Sequence, residues 1–440
     1  MWTRFAAPDS LSDVSPAPAT AAPPFRTAHF RWIVCAVLFL VTANNYLDRS
    51  LFSVVGPELI KVLHWTPVDY TDIVFWFQVT YGVFYIPSGW WLDLVGTRRG
   101  MTWLIALWSA AAMLPATLGG LFGFKLVRAL LGAAEPGLTP GTIKVITEWF
   151  PRSERSLATG IYKAGSNLGA IIVPLVVPWL YLSFGWRATF LVTGATGFVL
   201  LFFWLKYYHT PEASPRVGAE ELAYIQSDPP VAARKIPWRV LLRCREMWGY
   251  SLIKFLTDAI WYWYGAMFPL FLSRQFGLRI QDFGLPLVVL YLIADGGSVG
   301  GGWLATHWIK RGWSVTRARK FAMLVCCTAV LPAIYVPHTS SMWLAVVIVG
   351  IATAAHQGLT SNLFTTVSDM FPRAAVGTVV GIGGSAGLAG AAVMTLLTGY
   401  LLKTNGSFTV LFAIAGSVYL VAFGLFNLIS PRYEPVRFET

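Results

Sequence analysis

Four ionisable residues lie inside long apolar stretches in the first third of the chain. Asp48 and Arg49 are neighbours in NNYLDRS, and Arg128 and Glu135 stand seven residues apart in RALLGAAE, two turns along one helix face. A charged group near the centre of a bilayer costs at least about 2.5–3.5 kcal/mol, so each one suggests a function. Asp48 and Glu135 are candidate proton carriers, because burial and neighbouring arginines act on a carboxylate in opposite directions. Arg49 and Arg128 are candidates to bind an organic anion, since a guanidinium stays charged and can hold a carboxylate with two hydrogen bonds.

The same four residues also have a structural interpretation, in which they pair only to neutralise one another. Asn44 stands four residues before Asp48, and Asn45 stands four before Arg49. This spacing places the polar group on one broad face of a helix, which we expect to point into a helix bundle. Both interpretations put the four charges inside the protein, away from lipid.

Further polar and aromatic side chains within apolar stretches offer hydrogen bonds and ring faces to a hydroxylated ligand. In chain order they are Gln78, Tyr81, Tyr85, Tyr162, Lys163, Ser166, Asn167, Lys254, Asp258, Trp261, Tyr264, Asp295, His356, Gln357, Ser361, Asn362 and Thr365. His356 is equally well explained as a hydrogen-bonded packing residue. We expect an asymmetric pore, with proton chemistry mainly in the N-terminal half and polyol recognition shared by both halves.

The composition indicates what kind of molecule positions these residues. Of the 440 residues, 56% are hydrophobic and 12% are charged, and the mean hydropathy is +0.59, which is typical of an integral membrane protein. Runs of about 20 mostly apolar residues predict an all-α protein with twelve transmembrane helices. These predicted spans lie near residues 31–58, 71–94, 101–121, 123–149, 156–183, 188–208, 247–272, 283–309, 318–336, 342–368, 376–402 and 408–429.

The net charge of +12 follows from topology and does not predict a nucleic-acid partner. Most of the 33 Lys and Arg residues fall in the tails and in the connections on one side of the predicted membrane. Connections on the other side hold only Lys61, Arg187, Arg274, Arg279 and Lys403. Because basic residues concentrate on the cytoplasmic side, both termini are predicted to be cytoplasmic.

Two sequence motifs occur twice. GWWLDLVGTRRG (89–100) aligns without gaps to GGWLATHWIKRG (301–312), and TEWFPRSERSLATGI (147–161) aligns to SDMFPRAAVGTVVGI (368–382). The copies follow predicted spans 2 and 8 and predicted spans 4 and 10. The chain is therefore predicted to consist of two parallel six-helix repeats, an arrangement found in transporters that rock two bundles about a site at the membrane midplane.

The repeats divide the chain into five predicted segments. The linker has mixed charge and five prolines, and a short amphipathic helix is predicted in it near residues 219–227. The segments are a disordered cytoplasmic tail (1–30), an N-terminal six-helix bundle (31–208), a cytoplasmic linker (209–246), a C-terminal six-helix bundle (247–430) and a cytoplasmic tail (431–440).

The pattern formed by Gly89, Asp93, Gly96, Arg98 and Arg99 resembles the loop 2-3 signature of the major facilitator superfamily. The resemblance extends over nearly all of residues 31–430 and implies the major facilitator fold. We expect Asp93, Arg98 and Arg99 to form a cytoplasmic gate with the ends of neighbouring helices and not to bind substrate.

Longer stretches resemble the anion:cation symporter family of that superfamily, and in particular bacterial transporters of hexuronate, galactonate and glucarate. They are NYLDR, Arg128 with Glu135-Pro136-Gly137, EWFPRSERSLATGIYKAGSNLGA and AHQGLTSNLFTTVSDMFPR. The resemblance implies proton symport of a sugar acid in the bacterial inner membrane, with Asp48 and Glu135 as protonation sites. It also implies ligand contacts by Tyr46, Tyr81, Ser166 and Ser385. Lys163 departs from the expected uncharged residue; it either favours a dicarboxylate or extends to the membrane interface.

Other classes of function have weaker support in the sequence. The six histidines form no HExxH pattern and the four cysteines no CxxC pattern, so neither a catalytic site, a metal site nor a cofactor is predicted. The expected partners are a small organic anion, protons and the lipid bilayer, and we expect a monomer. A uniporter, an exporter and a non-transporting sensor stay open, and an aromatic carboxylate is the leading alternative substrate.

Overall fold

The computed structural model describes residues 29–227 and 238–436. The predicted N-terminal tail (1–30) lies almost wholly outside these ranges, as does part of the predicted linker. No β-strand occurs within them. The first six helices are α1 (Phe30–Val62), α2 (Pro67–Val95), α3 (Thr97–Met113), α4 (Leu121–Ala134), α5 (Leu138–Trp149) and α6 (Arg152–Tyr207).

The helices that follow begin with two short ones in the region of the predicted linker. The first of these, α7, is the predicted amphipathic helix. The remaining helices of the described chain are α7 (Ala219–Ile225), α8 (Trp238–Leu241), α9 (Arg245–Phe276), α10 (Gly284–Lys310), α11 (Val315–Ala329), α12 (Met342–Met370), α13 (Arg373–Thr404) and α14 (Thr409–Ile429).

Eight segments of the described chain are long and apolar enough to cross a membrane. This number makes the molecule a multi-pass membrane protein, but it is smaller than the twelve spans predicted. The helices α2 and α9 are long enough, yet both carry many polar and aromatic residues. The eight segments are Phe30–Val62, Thr97–Thr117, Ser153–Tyr207, Ile280–Lys310, Val315–His338, Met342–Met370, Ala375–Thr404 and Thr409–Ile429.

Two departures from regular helix explain half of the difference of four spans. The 56-residue α6 contains Gly185 at φ 78° and ψ 170°, a conformation open in practice only to glycine. The predicted spans 5 and 6 are the two parts of α6 on either side of it. The predicted span 4 is divided between α4 and α5 by a 3-10 turn at Glu135–Gly137, where Pro136 has no backbone N–H to donate.

The helix contacts repeat between the two halves of the chain. In the first half α1 packs on α6 and α2 on α4; in the second half α9 packs on α13 and α10 on α12. Contacts across the halves also come in related pairs, since α2 meets α13 and α6 meets α10, while α1 meets α9. This is the pattern that two parallel repeats related by a pseudo-two-fold axis produce.

Two equivalent glycines allow helices to approach closely within each half. A Cβ on Gly169 of α6 would lie 2.3 Å from the Ala43 carbonyl oxygen of α1, and a Cβ on Gly390 of α13 would lie 1.9 Å from the Phe255 carbonyl oxygen of α9. Both glycines stand the same number of residues after the proline of the duplicated Phe-Pro-Arg motif. Small residues let helix backbones come this close in a membrane, where tight packing replaces the hydrophobic effect.

Candidate functional site

A cavity of about 160 Å³ lies between the two halves of the molecule. Residues of α1, α2, α4 and α6 line one side, and residues of α9, α10, α12 and α13 line the other. Towards the predicted periplasmic end, the halves are joined by hydrogen bonds from Tyr70 OH to the Ala266 carbonyl oxygen (2.8 Å) and from Thr395 Oγ1 to Gln78 Oε1 (2.8 Å). The cavity is thus closed off by contacts between the halves at that end.

Arg49 lies on the cavity wall and is fully engaged with its neighbours. Its Nη2 and Nε atoms lie 2.9 and 3.0 Å from Glu135 Oε2, and Nη2 also donates to Tyr81 OH at 2.9 Å. The guanidinium stands over the rings of Tyr46 and Tyr81, 4.9 and 4.6 Å from their centroids. Glu135 has no exposed surface, and its Oε1 atom has no hydrogen-bond partner. This is a buried ion pair with one carboxylate oxygen left free.

Asp48 is held by the amide group of Asn44 and, among the described residues, forms no ion pair with an arginine. Asn44 Nδ2 donates to Asp48 Oδ2 at 2.9 Å, and Thr196 Oγ1 donates in turn to Asn44 Oδ1. The Oδ1 atom of Asp48 is buried without a hydrogen-bond partner. Asp48 therefore lies behind the cavity wall, at the end of a short hydrogen-bonded chain.

Arg128 differs from Arg49 in having no carboxylate at hydrogen-bond distance. Its guanidinium lies between the rings of Phe52 and Phe77, 4.7 and 4.5 Å from their centroids. Among the described residues it forms no side-chain hydrogen bond or ion pair, and its Nε atom is buried without a partner. Because Arg128 also lines the cavity, it is a cation whose hydrogen-bond donors are available to a ligand.

The structure brings eleven of the predicted ligand-contacting and gating residues to the cavity wall. They are Tyr46, Arg49, Gln78, Tyr81, Arg128, Ser166, Asn167, Trp261, Tyr264, Asp295 and Gln357. Asp48 and Glu135 lie directly behind this wall and are not among the lining residues. Aromatic residues line both sides of the cavity, and both arginines that line it belong to the N-terminal half. The side formed by the C-terminal half contributes rings but no arginine, and we call it the aromatic wall.

Four other predicted contacts lie away from the cavity wall. Lys163 points towards the Phe364 ring, 5.9 Å from its centroid, and His356 is buried behind Trp261. Asn362 uses its amide to bind two backbone oxygens, those of Gly301 and Gly358, each at 2.9 Å.

Ser385 is the fourth of these residues. It lies where α13 passes Gly82 of α2, and its hydroxyl oxygen is buried without a hydrogen-bond partner. A shift of α13 is therefore needed before Ser385 could reach a ligand in the cavity.

The predicted gate residues lie at the other end of the N-terminal half, beyond the cavity. Asp93 binds Lys144 of α5 at 2.9 Å, and Arg98 Nη2 donates to the Leu205 carbonyl oxygen near the end of α6 at 3.0 Å. Arg99 is exposed. The contacts of Asp93 and Arg98 connect α2 and α3 to the ends of neighbouring helices within the same half.

Several cavity residues were not predicted from the sequence. They are Ser50, Phe52, Ser53, Tyr262, Tyr291 and Thr353, among others. Helical spacing was the available signal for two of them. Ser53 stands one turn after Arg49, and Tyr291 stands one turn before Asp295, so each shares a helix face with a polar residue of the cavity.

Residues 38–393 match the sequence model described as the Major Facilitator Superfamily. The chain is 29% identical to the hexuronate transporter of Escherichia coli (strain K12) over 392 residues, covering 87% of this chain and 90% of that protein. It is 29% identical to the "Probable galactarate/D-glucarate transporter GarP" of the same strain over 415 residues, covering 90% and 93% of the two chains.

Solved structures share the fold at lower identity. A crystal structure of a bacterial homolog to the human lysosomal transporter Spinster, inward-facing and occupied, has a TM-score of 0.70 at 18% identity, covering 92% of this chain and 98% of the other. The crystal structure of a D-xylose-proton symporter has a TM-score of 0.72 at 13% identity, covering 92% and 100%. At these identities the likeness shows the architecture alone.

Proposed function

The chain belongs to the Major Facilitator Superfamily, and we propose that it imports a sugar acid anion together with protons by alternating access. The single observation that carries this proposal is Arg128, an arginine on the cavity wall without a carboxylate at hydrogen-bond distance. A guanidinium with free donors in a closed, aromatic site is suited to a ligand carboxylate, which would satisfy the unpartnered Nε.

The relatives support the class of substrate. The names of the two curated relatives refer to hexuronate and to galactarate/D-glucarate, which are hydroxylated carboxylates. The cavity also offers hydroxyl and amide groups for sugar hydroxyls, those of Ser166 from the side of Arg128 and those of Tyr262 and Gln357 from the other side. Asp295 also lines this cavity and can accept hydrogen bonds from hydroxyl groups.

Glu135 and Asp48 supply the proposed link to protons. Each is a buried carboxylate with one oxygen that lacks a hydrogen-bond partner, so each can accept a proton without first breaking a hydrogen bond. Protonation of Glu135 weakens its hold on Arg49, which then contributes to binding the anion beside Arg128. Return of the proton to solvent restores the ion pair and favours release of the anion.

The membrane topology is part of the proposal. Twelve spans result if α2 and α9 cross the membrane, if α4 and α5 form one span and if α6 forms two about Gly185. Both termini then lie on the cytoplasmic side. The hydrogen bonds of Tyr70 and Gln78 across the halves would close the periplasmic end and must break when the transporter opens outward.

An aromatic carboxylate is a second candidate substrate, favoured by the rings that surround the cavity. Tyr46, Phe77, Tyr81 and Trp261 all line it, and such rings can stack on an aromatic ligand as well as on the apolar face of a sugar. The position of Arg128 suits either acid equally, so only transport can separate them.

Uptake of radiolabelled galacturonate and glucuronate into proteoliposomes tests the proposal. We expect accumulation with an inward proton gradient and only equilibration without it. Uptake that ignores the gradient would make the protein a uniporter, and uptake of aromatic acids alone would replace the substrate class. Binding without any uptake would favour a sensor.

A further inference from the structure

A second group of buried ionisable side chains lies in the C-terminal half, behind the aromatic wall of the cavity. Lys254 Nζ is 2.6 Å from Asp258 Oδ2, one turn along α9, and His356 Nε2 of α12 is 3.7 Å from Asp258 Oδ1. The three residues are only 5%, 6% and 3% exposed. None of them is among the residues that line the cavity, so direct contact with substrate does not explain their presence.

The ring nitrogens of His356 both lie beside hydroxyl groups. Tyr419 OH is 3.0 Å from His356 Nδ1 and 3.2 Å from the Thr257 carbonyl oxygen, and Thr360 Oγ1 is 3.3 Å from His356 Nε2. A hydroxyl group can donate or accept, so these neighbours accommodate the neutral ring and also a ring that carries a proton on both nitrogens.

Asp258 Oδ1 is buried and has no hydrogen-bond partner among the described residues. It faces His356 Nε2 across 3.7 Å, beyond hydrogen-bond distance. A buried polar atom left without a partner is unfavourable. A second proton on the His356 ring would make it a cation that attracts Asp258 and can donate to Oδ1.

The other titratable groups that face Asp258 cannot take this proton. Lys254 is already the cationic partner of Asp258 Oδ2, at 2.6 Å, and tyrosines are uncharged acids that ordinarily titrate only near pH 10. On α13, Gly387 faces Asp258, and a Cβ there would lie 2.5 Å from Asp258 Oδ2. The facing tyrosines are Tyr250 and Tyr262 of α9, Tyr419 of α14 and Tyr85 of α2.

The group formed by Lys254, Asp258 and His356 contacts the cavity wall at Trp261. The His356 ring stacks on the Trp261 ring with centroids 5.1 Å apart and planes 15° apart, and Trp261 lines the cavity. Gln357, next in the chain to His356, lines it too. We propose that Asp258 and His356 form a second proton-binding site, separate from Asp48 and Glu135, whose occupancy moves Trp261 at the cavity wall.

The first test needs no substrate, so its result does not depend on the proposed sugar acid. The full-length protein, labelled with ¹⁵N-histidine in lipid bilayers, is followed by solid-state NMR as the pH changes. The signal lost in His356→Gln identifies His356. We expect it to change between about pH 5 and 8 from one bare ring nitrogen to two protonated ones, and we expect Asp258→Asn to abolish this change within that range.

A bare nitrogen at every pH, or an unchanged titration in Asp258→Asn, would overturn the proposal. His307→Gln is the matched control, because His307 stacks on Trp303 near the end of α10, and its loss should leave the His356 titration unchanged. If Asp258→Asn does not fold, the double variant Lys254→Met/Asp258→Asn removes both charges of the buried pair and serves in its place.

A second measurement connects the site to transport. Calorimetry of galacturonate binding in two buffers of different ionisation enthalpy gives the number of protons taken up per anion bound. We expect this number to fall by about one in His356→Gln; an unchanged number would mean that the site is not linked to binding. Absence of galacturonate and glucuronate binding to the wild type would count against the proposed function, while the NMR titration would still decide the proton site.

Discussion

Arg49 directs both its Nη2 and its Nε atoms at one oxygen of Glu135, at 2.9 and 3.0 Å, and leaves the other oxygen, Oε1, buried without a partner. Glu135 can therefore be protonated on Oε1 without leaving its place. The neutral carboxyl group attracts Arg49 less strongly, while Tyr81, whose hydroxyl accepts from Nη2 at 2.9 Å, keeps Arg49 at the cavity wall. In the proposed mechanism, a proton at Glu135 thus makes a cation available beside the ligand.

Glu135→Gln is expected to uncouple transport from the proton gradient. The amide resembles the protonated acid in size and can still accept a hydrogen bond from Arg49, but it has no proton to release. We expect uptake of galacturonate into proteoliposomes to lose its response to the gradient, while exchange of internal for external galacturonate persists.

Glu58→Gln is the matched control for Glu135→Gln. Glu58 lies near the end of α1 and pairs with the exposed Lys61, so its loss is expected to change little. Gradient-driven accumulation that survives in Glu135→Gln would assign the proton to another group.

Arg128→Met is expected to weaken substrate binding, and Arg128→Lys should restore only part of the loss. A hydrogen bond to a charged group contributes about 1.5–3 kcal/mol, which corresponds to about 10–150-fold in Kd. Lysine keeps the charge but cannot form two parallel hydrogen bonds to a carboxylate. Kd for galacturonate, measured by calorimetry, checks the order wild type, Lys, Met.

Arg187→Met provides the comparison for an arginine that stacks on a ring outside the cavity. Its guanidinium lies 4.3 Å from the Trp186 ring centroid, and neither residue lines the cavity. Equal losses of affinity in Arg187→Met and Arg128→Met would show that Arg128 does not bind the anion.

The sequence predicted which charged residues lie at or directly behind the cavity wall better than it predicted their partners. The cost of charge in a membrane identified Asp48, Arg49, Arg128 and Glu135, because that cost depends only on residue type and the apolar surroundings. Their pairing depends on how each helix is rotated against its neighbours. That rotation is set by close contacts such as that of Gly169 with the Ala43 carbonyl oxygen, which spacing along one helix does not reveal.

The same limit applies to the predicted ligand contacts. The polar stripe of α12 was recognised from its spacing, but only Gln357 of the predicted contacts in it lines the cavity, while Asn362 binds backbone oxygens of α10 and α12. Spacing identifies a helix face; it does not show whether that face meets a cavity or another helix. The break between predicted spans 5 and 6, by contrast, depends on residue type alone. Gly185 adopts a positive φ there, which glycine tolerates, so this break could be predicted from the sequence.

Glu221→Ala is expected to release the linker helix α7 from the N-terminal half. Glu221 accepts hydrogen bonds from the backbone N–H groups of Phe30 and Arg31, at 3.3 and 3.1 Å, and pairs with the Arg31 guanidinium at 3.2 Å. It therefore caps the start of α1, where His29 forms no side-chain cap. Removing one partner of a buried ion pair costs about 3–5 kcal/mol.

Hydrogen exchange measures this release of α7. We expect amides of α7 to exchange at least about tenfold faster in Glu221→Ala. Glu220→Ala changes the adjacent, exposed carboxylate and should leave the rates unaltered. Equal protection of α7 in both variants would show that Glu221 does not hold the linker.

Gly169→Ala and Gly390→Ala are expected to destabilise the two halves to a similar extent, because the two glycines occupy equivalent positions of the repeat. Each added Cβ would lie within 2.3 Å of a backbone carbonyl oxygen of the facing helix, and the helices must separate to admit it. Overpacking of this kind costs about 1–3 kcal/mol, which should lower Tm in detergent. Gly160→Ala, also in α6, meets nothing within 4 Å and is the matched control.

The two substitutions should also have different effects on function. The helix α1 carries Asp48 and Arg49, so Gly169→Ala should disturb proton coupling. The helix α9 carries Asp258 and Trp261, so Gly390→Ala should alter the aromatic wall. A Tm equal to that of Gly160→Ala in either variant would show that the facing helix yields without cost, and the close approach would then have no part in holding the charged groups in place.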